Sequence, residues 1–70
     1  IEFKIKRHID GIVDIPLRNI TLKKNILIGG IIRKRTVIIP NGDDVIRAGD
    51  SVIIISRDYH FSDITDILEE

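Results

Sequence analysis

The sequence lacks cysteine, methionine and tryptophan, and it has only three aromatic residues among its 70 positions. The absence of cysteine excludes disulfide bridges, thiolate metal sites and a thiol nucleophile. With so few aromatic rings, the chain offers no platform on which nucleic-acid bases could stack. No apolar run approaches the length of a membrane-spanning helix, about 18 residues, and the N-terminus does not read as a signal peptide. We therefore expect a domain that neither spans a membrane nor binds nucleic acid.

Branched aliphatic residues dominate what is present. Thirty of the 70 residues are apolar, and 18 of these are isoleucine. Such side chains favour pleated sheet over helix, which argues against a helical bundle, a coiled coil or a disordered tail. A chain this short buries only about 60% of its unfolded surface. We therefore expect it to associate with a second copy or to belong to a larger chain, and its non-methionine first residue favours a fragment or a processed product.

Charge is divided between the two halves of the chain. Residues 1–35 carry a balance of +6 and residues 36–70 a balance of −6, so the net charge is zero. A basic half could form a nucleic-acid patch, but it could equally pair with the acidic half within the fold or across a dimer. Because the aromatic stacking residues are missing, we adopt the second interpretation.

The apolar patterns predict a small α+β domain covering residues 1–70, with a mostly antiparallel sheet and short helices. The segments 26–33 and 51–56 are apolar on both faces and should form central strands. The predicted order is a strand (2–8), a turn at Gly11, a short helix (16–22), a strand (26–33), a hairpin turn (33–36), a strand (36–40), two turns, a strand (51–56) and a short helix capped by Ser62.

Glycines mark three places in this pattern. The pair Gly29-Gly30 lies inside a predicted strand, which indicates a bulge or the close approach of a ligand or another backbone. It lacks the spacing of a phosphate-binding loop. Gly42-Asp43 and Gly49-Asp50 echo each other seven residues apart, and each glycine is expected to take a positive φ while the aspartate bonds nearby backbone N–H groups.

Residues that could carry chemistry are few. Neither His8 nor His60 has a spacing that marks a catalytic base, and the three serines fit structural positions. The aspartates Asp43, Asp44 and Asp50 either brace their turns or hold a divalent cation. The basic run 33–35 is either a solvated turn above the core or, if two hairpins meet on a two-fold axis, a pocket for a symmetric anion.

Several short motifs follow one another between Asn25 and Ser56. They are Ile31-Ile32-Arg33, Val37-Ile38-Ile39-Pro40, Gly42-Asp43-Asp44-Val45-Ile46 and Ala48-Gly49-Asp50-Ser51-Val52-Ile53-Ile54. In this order they closely resemble the C-terminal regulatory domain of TrkA-type potassium uptake proteins, known as the TrkA-C or RCK C-terminal domain. The segments 15–20 and 62–68 are similar to further parts of that family, so the resemblance covers nearly the whole chain.

The resemblance implies regulation and not catalysis, so no enzymatic activity is expected. Domains of this family follow a Rossmann half that would hold any NAD or ATP site, and no cofactor is expected within these 70 residues. They form homodimers and act on a membrane potassium transporter subunit. The expected location is therefore cytoplasmic, peripheral to the inner face of the cell membrane through the transporter.

The resemblance also implies a ligand, because some relatives bind cyclic di-AMP at the dimer interface. The corresponding positions here are Ile31, Ile32, Arg33, Ile38, Ile39 and Pro40. Two alternatives stay open. The chain could be a ligand-free dimerisation module of a related transporter, or a divalent-cation-binding domain that uses Asp43, Asp44 and His60.

Overall fold

Four antiparallel strands form one sheet in the computed structural model, which describes residues 1–57 and 62–69. The strands are β1 (Glu2–Lys4), β2 (Ile26–Arg33), β3 (Thr36–Ile38) and β4 (Ser51–Ser56), and they lie in the order β1-β4-β2-β3. The apolar runs of β2 and β4 predicted both the bounds and the central position of these strands. The antiparallel sheet of the predicted fold class is therefore confirmed.

The helices are shorter and tighter than predicted. Each is a 3-10 helix, the first at Leu17–Asn19 and the second at Ile64–Ile67. After the first helix, Ile20 N–H donates to the Leu17 carbonyl at 3.1 Å. After the second, Leu68 N–H donates to the Thr65 carbonyl at 3.2 Å. Ile20 and Leu68 themselves have an extended backbone. Neither segment therefore adds a second turn. The helical part of the α+β expectation is corrected to two single turns, and no described helix is long and apolar enough to cross a membrane.

Two boundaries also differ from the sequence pattern, and one predicted turn agrees with it. β1 ends at Lys4 and not at residue 8, because Ile5 bonds to two successive residues and so breaks the regular register: it donates to the Asp50 carbonyl at 2.8 Å and accepts from Gly49 N–H at 2.6 Å. β3 ends at Ile38, two residues before Pro40. The predicted turn at Gly11 is confirmed by its φ of +85°.

The cap of the second helix was wrongly assigned to Ser62. Asp63 is the N-cap, and its carboxylate accepts from the N–H of Thr65 at 3.4 Å. The Asp66 carboxylate reaches back to the backbone N–H groups of Ser62 and Asp63, at 3.0 and 3.2 Å. These bonds lower the pKa of Asp66 because they stabilise its ionised form.

One face of the sheet, which we call the inner face, is covered by irregular segments from 9–22, 41–50 and 62–69. These segments hold one another through backbone bonds, such as Leu17 N–H to Asp44 O at 2.9 Å and Glu69 N–H to Thr21 O at 2.9 Å. The core between them is almost entirely isoleucine. Its buried members are Ile5, Ile12, Val13, Ile20, Ile26, Ile28, Ile31, Ile46, Val52, Ile54, Ile64 and Ile67.

Candidate functional site

The opposite face of the sheet, the outer face, is aliphatic but has no covering layer in the described part of the chain. Cross-strand partners point to the same side of a sheet, so the register identifies its members. Leu27 pairs with Ile55, and Ile32 pairs with Val37. Val37 is 64% exposed and Leu27 and Ile55 are also exposed. A patch of this kind on a small domain marks an interaction surface.

The glycine pair shapes the middle of the outer face. The register between β2 and β4 shifts between Ile28 and Gly30, which confirms the predicted bulge. A Cβ at Gly29 would lie 2.7 Å from Ile55 Cδ1, so the Ile55 side chain lies across the space that glycine leaves. Ile55 therefore packs over the Gly29 backbone and adds its own exposed side chain to the middle of the outer face.

The predicted ligand residues are divided between the two faces. Ile32 lies on the outer face, and Ile39, just beyond β3, is 79% exposed. Ile31 is fully buried in the core and pairs with Ile38 on the inner face. Pro40 is half-buried in the loop that follows β3. Only part of the predicted set can therefore present its side chains to one ligand.

Arg33 also points to the inner side, where its guanidinium donates to a carboxylate and to a backbone carbonyl. Its Nε donates to Asp50 Oδ1 at 2.9 Å, and its Nη2 donates to Asp50 Oδ2 at 2.8 Å and to the Val45 carbonyl at 2.9 Å. This two-point contact fixes the plane of the guanidinium. None of these bonds between described residues uses Nη1.

The Asp50 carboxylate is ionised although its side chain is only 2% exposed. Burial on its own would raise the pKa of Asp50, but the hydrogen bonds from Arg33 and from the N–H of Arg47 outweigh it, so the pKa lies below its usual range. The same pair raises the pKa of Arg33, chiefly through the hydrogen bond to Asp50. The pair joins the end of β2 to the loop before β4.

Two turns in that loop repeat one bonding pattern, and we call them the first aspartate turn (41–44) and the second aspartate turn (47–50). In each, the last residue's carboxylate accepts from the first residue's N–H at 2.8 Å. The repeat is thus six residues long, from Asp44 to Asp50, and not the predicted seven. Gly49 has the predicted positive φ, +98°, whereas Gly42 does not.

The predicted cation ligands are engaged in other contacts. Asp43 forms an exposed ion pair with Arg18, and Asp44 accepts from Asn41 N–H. Within residues 1–57 and 62–69, no group of three carboxylate or histidine side chains could hold a metal ion. His60 lies outside the described residues. His8 is at the surface, with Nε2 3.0 Å from Asp10 Oδ1.

A basic cavity of about 330 Å³ lies where the β2–β3 hairpin meets the second aspartate turn. The sequence analysis identified Arg33 and Lys34 as possible anion-binding residues but missed Arg47, because no sequence motif places Arg47 near the hairpin. Lys34 and Arg35 have φ values of +49° and +66°, as the central residues of a two-residue hairpin turn require. Residues with a Cβ adopt this conformation at a cost of about 1 kcal/mol or more each.

These features define a small antiparallel-sheet module with one aliphatic face that the described residues leave uncovered. Residues 5–68 match the model of the TrkA-C domain family. The chain therefore belongs to the TrkA-C domain family, as its motifs predicted.

Two individual proteins support this assignment. The Trk system potassium uptake protein TrkA of Azorhizobium caulinodans is 44% identical over 41 residues, which are 59% of this chain and 9% of that protein. The aligned segment is thus less than a tenth of that relative's length. A solved structure of an RCK domain with cda superposes with a TM-score of 0.69 at 29% identity, covering 83% of this chain and 80% of the other.

Proposed function

We propose that this domain is the ligand-sensing, dimerising part of a Trk-type potassium uptake system, and that it controls potassium transport without catalysing a reaction. The observation that carries the proposal is the uncovered aliphatic outer face on a member of the TrkA-C family. The connection to potassium comes from the similar protein, which is a potassium uptake protein. In this role the domain acts in the cytoplasm, at the inner membrane face, through a transporter subunit.

The outer face supports a homodimer. In a two-fold dimer the same patch serves both copies, so a self-complementary aliphatic surface is sufficient. Leu27, Val37 and Ile55 would leave water together in such a contact. A second core formed in this way compensates for the small interior of a single copy.

Sedimentation velocity tests the dimer with two matched variants. Val37→Glu places a charge on the outer face, and we expect it to weaken self-association at least about tenfold, which is the effect of about 1.4 kcal/mol. Ile1→Glu is the control, because Ile1 is 61% exposed but pairs through backbone hydrogen bonds with Ile54, whose side chain lies on the inner face. A monomeric parent chain, or equal weakening by both variants, contradicts the proposal.

The proposed ligand is cyclic di-AMP, bound on the two-fold axis of the dimer. Aliphatic side chains can contact the faces of its bases, and Ile32 on the outer face and the exposed Ile39 just beyond β3 would do so in the dimer, with Pro40 next to Ile39. The Arg33 side chain is not part of this proposed contact, because it points to the inner side, where Asp50 and Val45 accept from its Nε and Nη2. The similar RCK domain, solved with cda, supports a ligand for this class of domain.

The domain would control the transporter by a shift in the populations of two arrangements of the dimer. A ligand that contacts both copies favours the arrangement of the two domains that it fits best, and this bias passes to the attached transporter. The free energy of the shift cannot exceed the difference in the ligand's affinity for the two arrangements.

Calorimetry with cyclic di-AMP tests the ligand on protein already verified as a dimer. We expect saturable heat for the parent chain and for Ile1→Asp, and at least about tenfold weaker binding for Ile39→Asp, because a carboxylate would replace an aliphatic contact. A dimer that produces no heat excludes this ligand. That result would favour the ligand-free dimerisation module, which the same aliphatic face also supports.

A further inference from the structure

The basic cavity lies apart from the outer face. Arg33 and Ile32 are consecutive residues of β2, so their side chains point to opposite sides of the sheet. Ile32 belongs to the outer face, whereas Arg33 reaches Asp50 and the Val45 carbonyl on the inner side. The cavity residues are Arg33, Lys34, Arg47, Ala48, Gly49 and Asp50.

Charge in and around the cavity is unbalanced. The cavity is lined by three cationic residues, Arg33, Lys34 and Arg47, and by one carboxylate, that of Asp50. Both oxygens of this carboxylate already accept hydrogen bonds, from the Arg33 guanidinium and the Arg47 N–H. Lys4 adds a fourth cation at the rim, where its Nζ donates to the Gly49 carbonyl at 3.1 Å. Asp44 is the other acidic group that acts on Arg33. Counting all of these groups leaves an excess of two positive charges.

The central cation is held in place before any ligand arrives. Asp50 and Val45 bind Nε and Nη2 of Arg33 from one side, so the orientation of Nη1 is fixed. A donor positioned in this way loses little conformational freedom when it binds an anion. Arg33 is also partly shielded, since its side chain is only about a quarter exposed, and shielding strengthens charge interactions.

The hairpin turn adds a second, independent observation. Lys34 and Arg35 occupy two left-handed positions where asparagine and glycine are strongly preferred. Strained backbone of this kind is concentrated at ligand clamps, where a side chain's position matters more than local stability. Lys34, one of these two residues, lines the cavity.

We propose that this cavity binds a compact dianion, either a phosphate group or a small dicarboxylate. Arg33 Nη1 and the Arg47 guanidinium donate charge-assisted hydrogen bonds to its oxygens, and the Lys34 ammonium neutralises the remaining charge. The site is independent of the dimer and of the ligand on the outer face, so it goes beyond the proposed function.

NMR titration of the 70-residue chain with inorganic phosphate tests the site, with sodium chloride used to keep the ionic strength constant. We expect saturable shifts of the backbone amides of Lys34, Ala48 and Gly49. Arg47→Gln should weaken binding about tenfold and Lys34→Gln about threefold, since each removes one charged contact. Lys24→Gln, which removes an exposed lysine elsewhere, is the control and should leave binding unchanged.

A parallel titration with malonate identifies the chemistry of the ligand, because tighter binding of phosphate indicates a phosphate ester and tighter binding of malonate indicates a dicarboxylate. Shifts that rise linearly without saturation overturn the proposal. So does equal weakening by Arg47→Gln and Lys24→Gln, which would reduce the effect to general attraction between charges. Val37→Glu should bind phosphate normally, which separates this test from the failure of the dimer.

Discussion

The two aspartate turns have the same internal hydrogen bond but lie in different surroundings. In the first turn the bond from Asn41 N–H to the Asp44 carboxylate is exposed. In the second turn the Asp50 carboxylate is buried and also accepts two hydrogen bonds from Arg33. The comparison predicts that a turn motif alone contributes little to stability, and that burial and a charged partner decide how much the same aspartate contributes.

The largest expected effect is that of Asp50→Asn. It leaves the partly buried Arg33 charge without its counter-charge, and we expect a loss of about 3 kcal/mol in the free energy of unfolding. Chemical denaturation monitored by circular dichroism measures it. The double variant Arg33→Gln/Asp50→Asn should lose less than the sum of the two single changes, because the groups interact. Additive losses would mean that the pair is not coupled.

The same carboxylate predicts a loss of stability in acid. The folded-state pKa of Asp50 is lowered, so its contribution is complete above the unfolded pKa, about 3.9, and is lost as the pH falls through the folded value. Asp66, whose pKa is also lowered, adds to the loss in the same range. Denaturation at a series of pH values should give a shallower acid loss for Asp50→Asn than for the parent. If the free energy of unfolding fell equally with pH in the parent and in Asp50→Asn, Asp50 would not be a cause of the acid destabilisation.

A smaller effect is expected for Asp44→Asn, the matched change in the first turn. It weakens an exposed hydrogen bond to a charged acceptor, which predicts a loss of about 1 kcal/mol in the free energy of unfolding. The denaturation experiment that measures Asp50→Asn serves here too. If Asp44→Asn and Asp50→Asn lowered the free energy of unfolding equally, burial and the Arg33 partner would not distinguish the second turn from the first.

The smallest effect is expected for Asp43→Asn, next to Asp44 in the same turn. Its ion pair with Arg18 lies at the surface, where both side chains are more than half exposed. Solvent screens such pairs, so we expect a change below about 0.5 kcal/mol, and almost none in 1 M salt. Destabilisation that approached the Asp50 value would show that this surface pair is more important than its exposure indicates.

The sequence predicted the elements whose signal is local. β2 and β4 have the predicted bounds because each is an unbroken apolar run between polar turn residues. The bulge at Gly29-Gly30 followed from glycine inside such a run. The helices were predicted too long, because a few apolar residues at spacings of three and four fit one 3-10 turn as well as an α-helix.

The candidate sites depend on contacts that sequence spacing does not encode. Arg33 and Asp50 are 17 positions apart, and their pairing results from the antiparallel order of β2 and β4. The split of Ile31 and Ile32 between the two faces follows from strand alternation, but which face is covered depends on how the loops pack. The cavity residue Arg47 becomes visible only once the hairpin and the second aspartate turn are brought together.

β3 forms one edge of the sheet and contains only three residues. Exposed edges can recruit strands from other molecules and start fibril growth, and natural sequences limit this with charges and proline. Lys34 and Arg35 stand at one end of this edge and Pro40 at the other, so an incoming strand would find only a few backbone groups to bind before meeting like charges or a missing N–H. A protein this rich in isoleucine thus carries its own protection against aggregation at this edge, where its apolar side chains are most exposed.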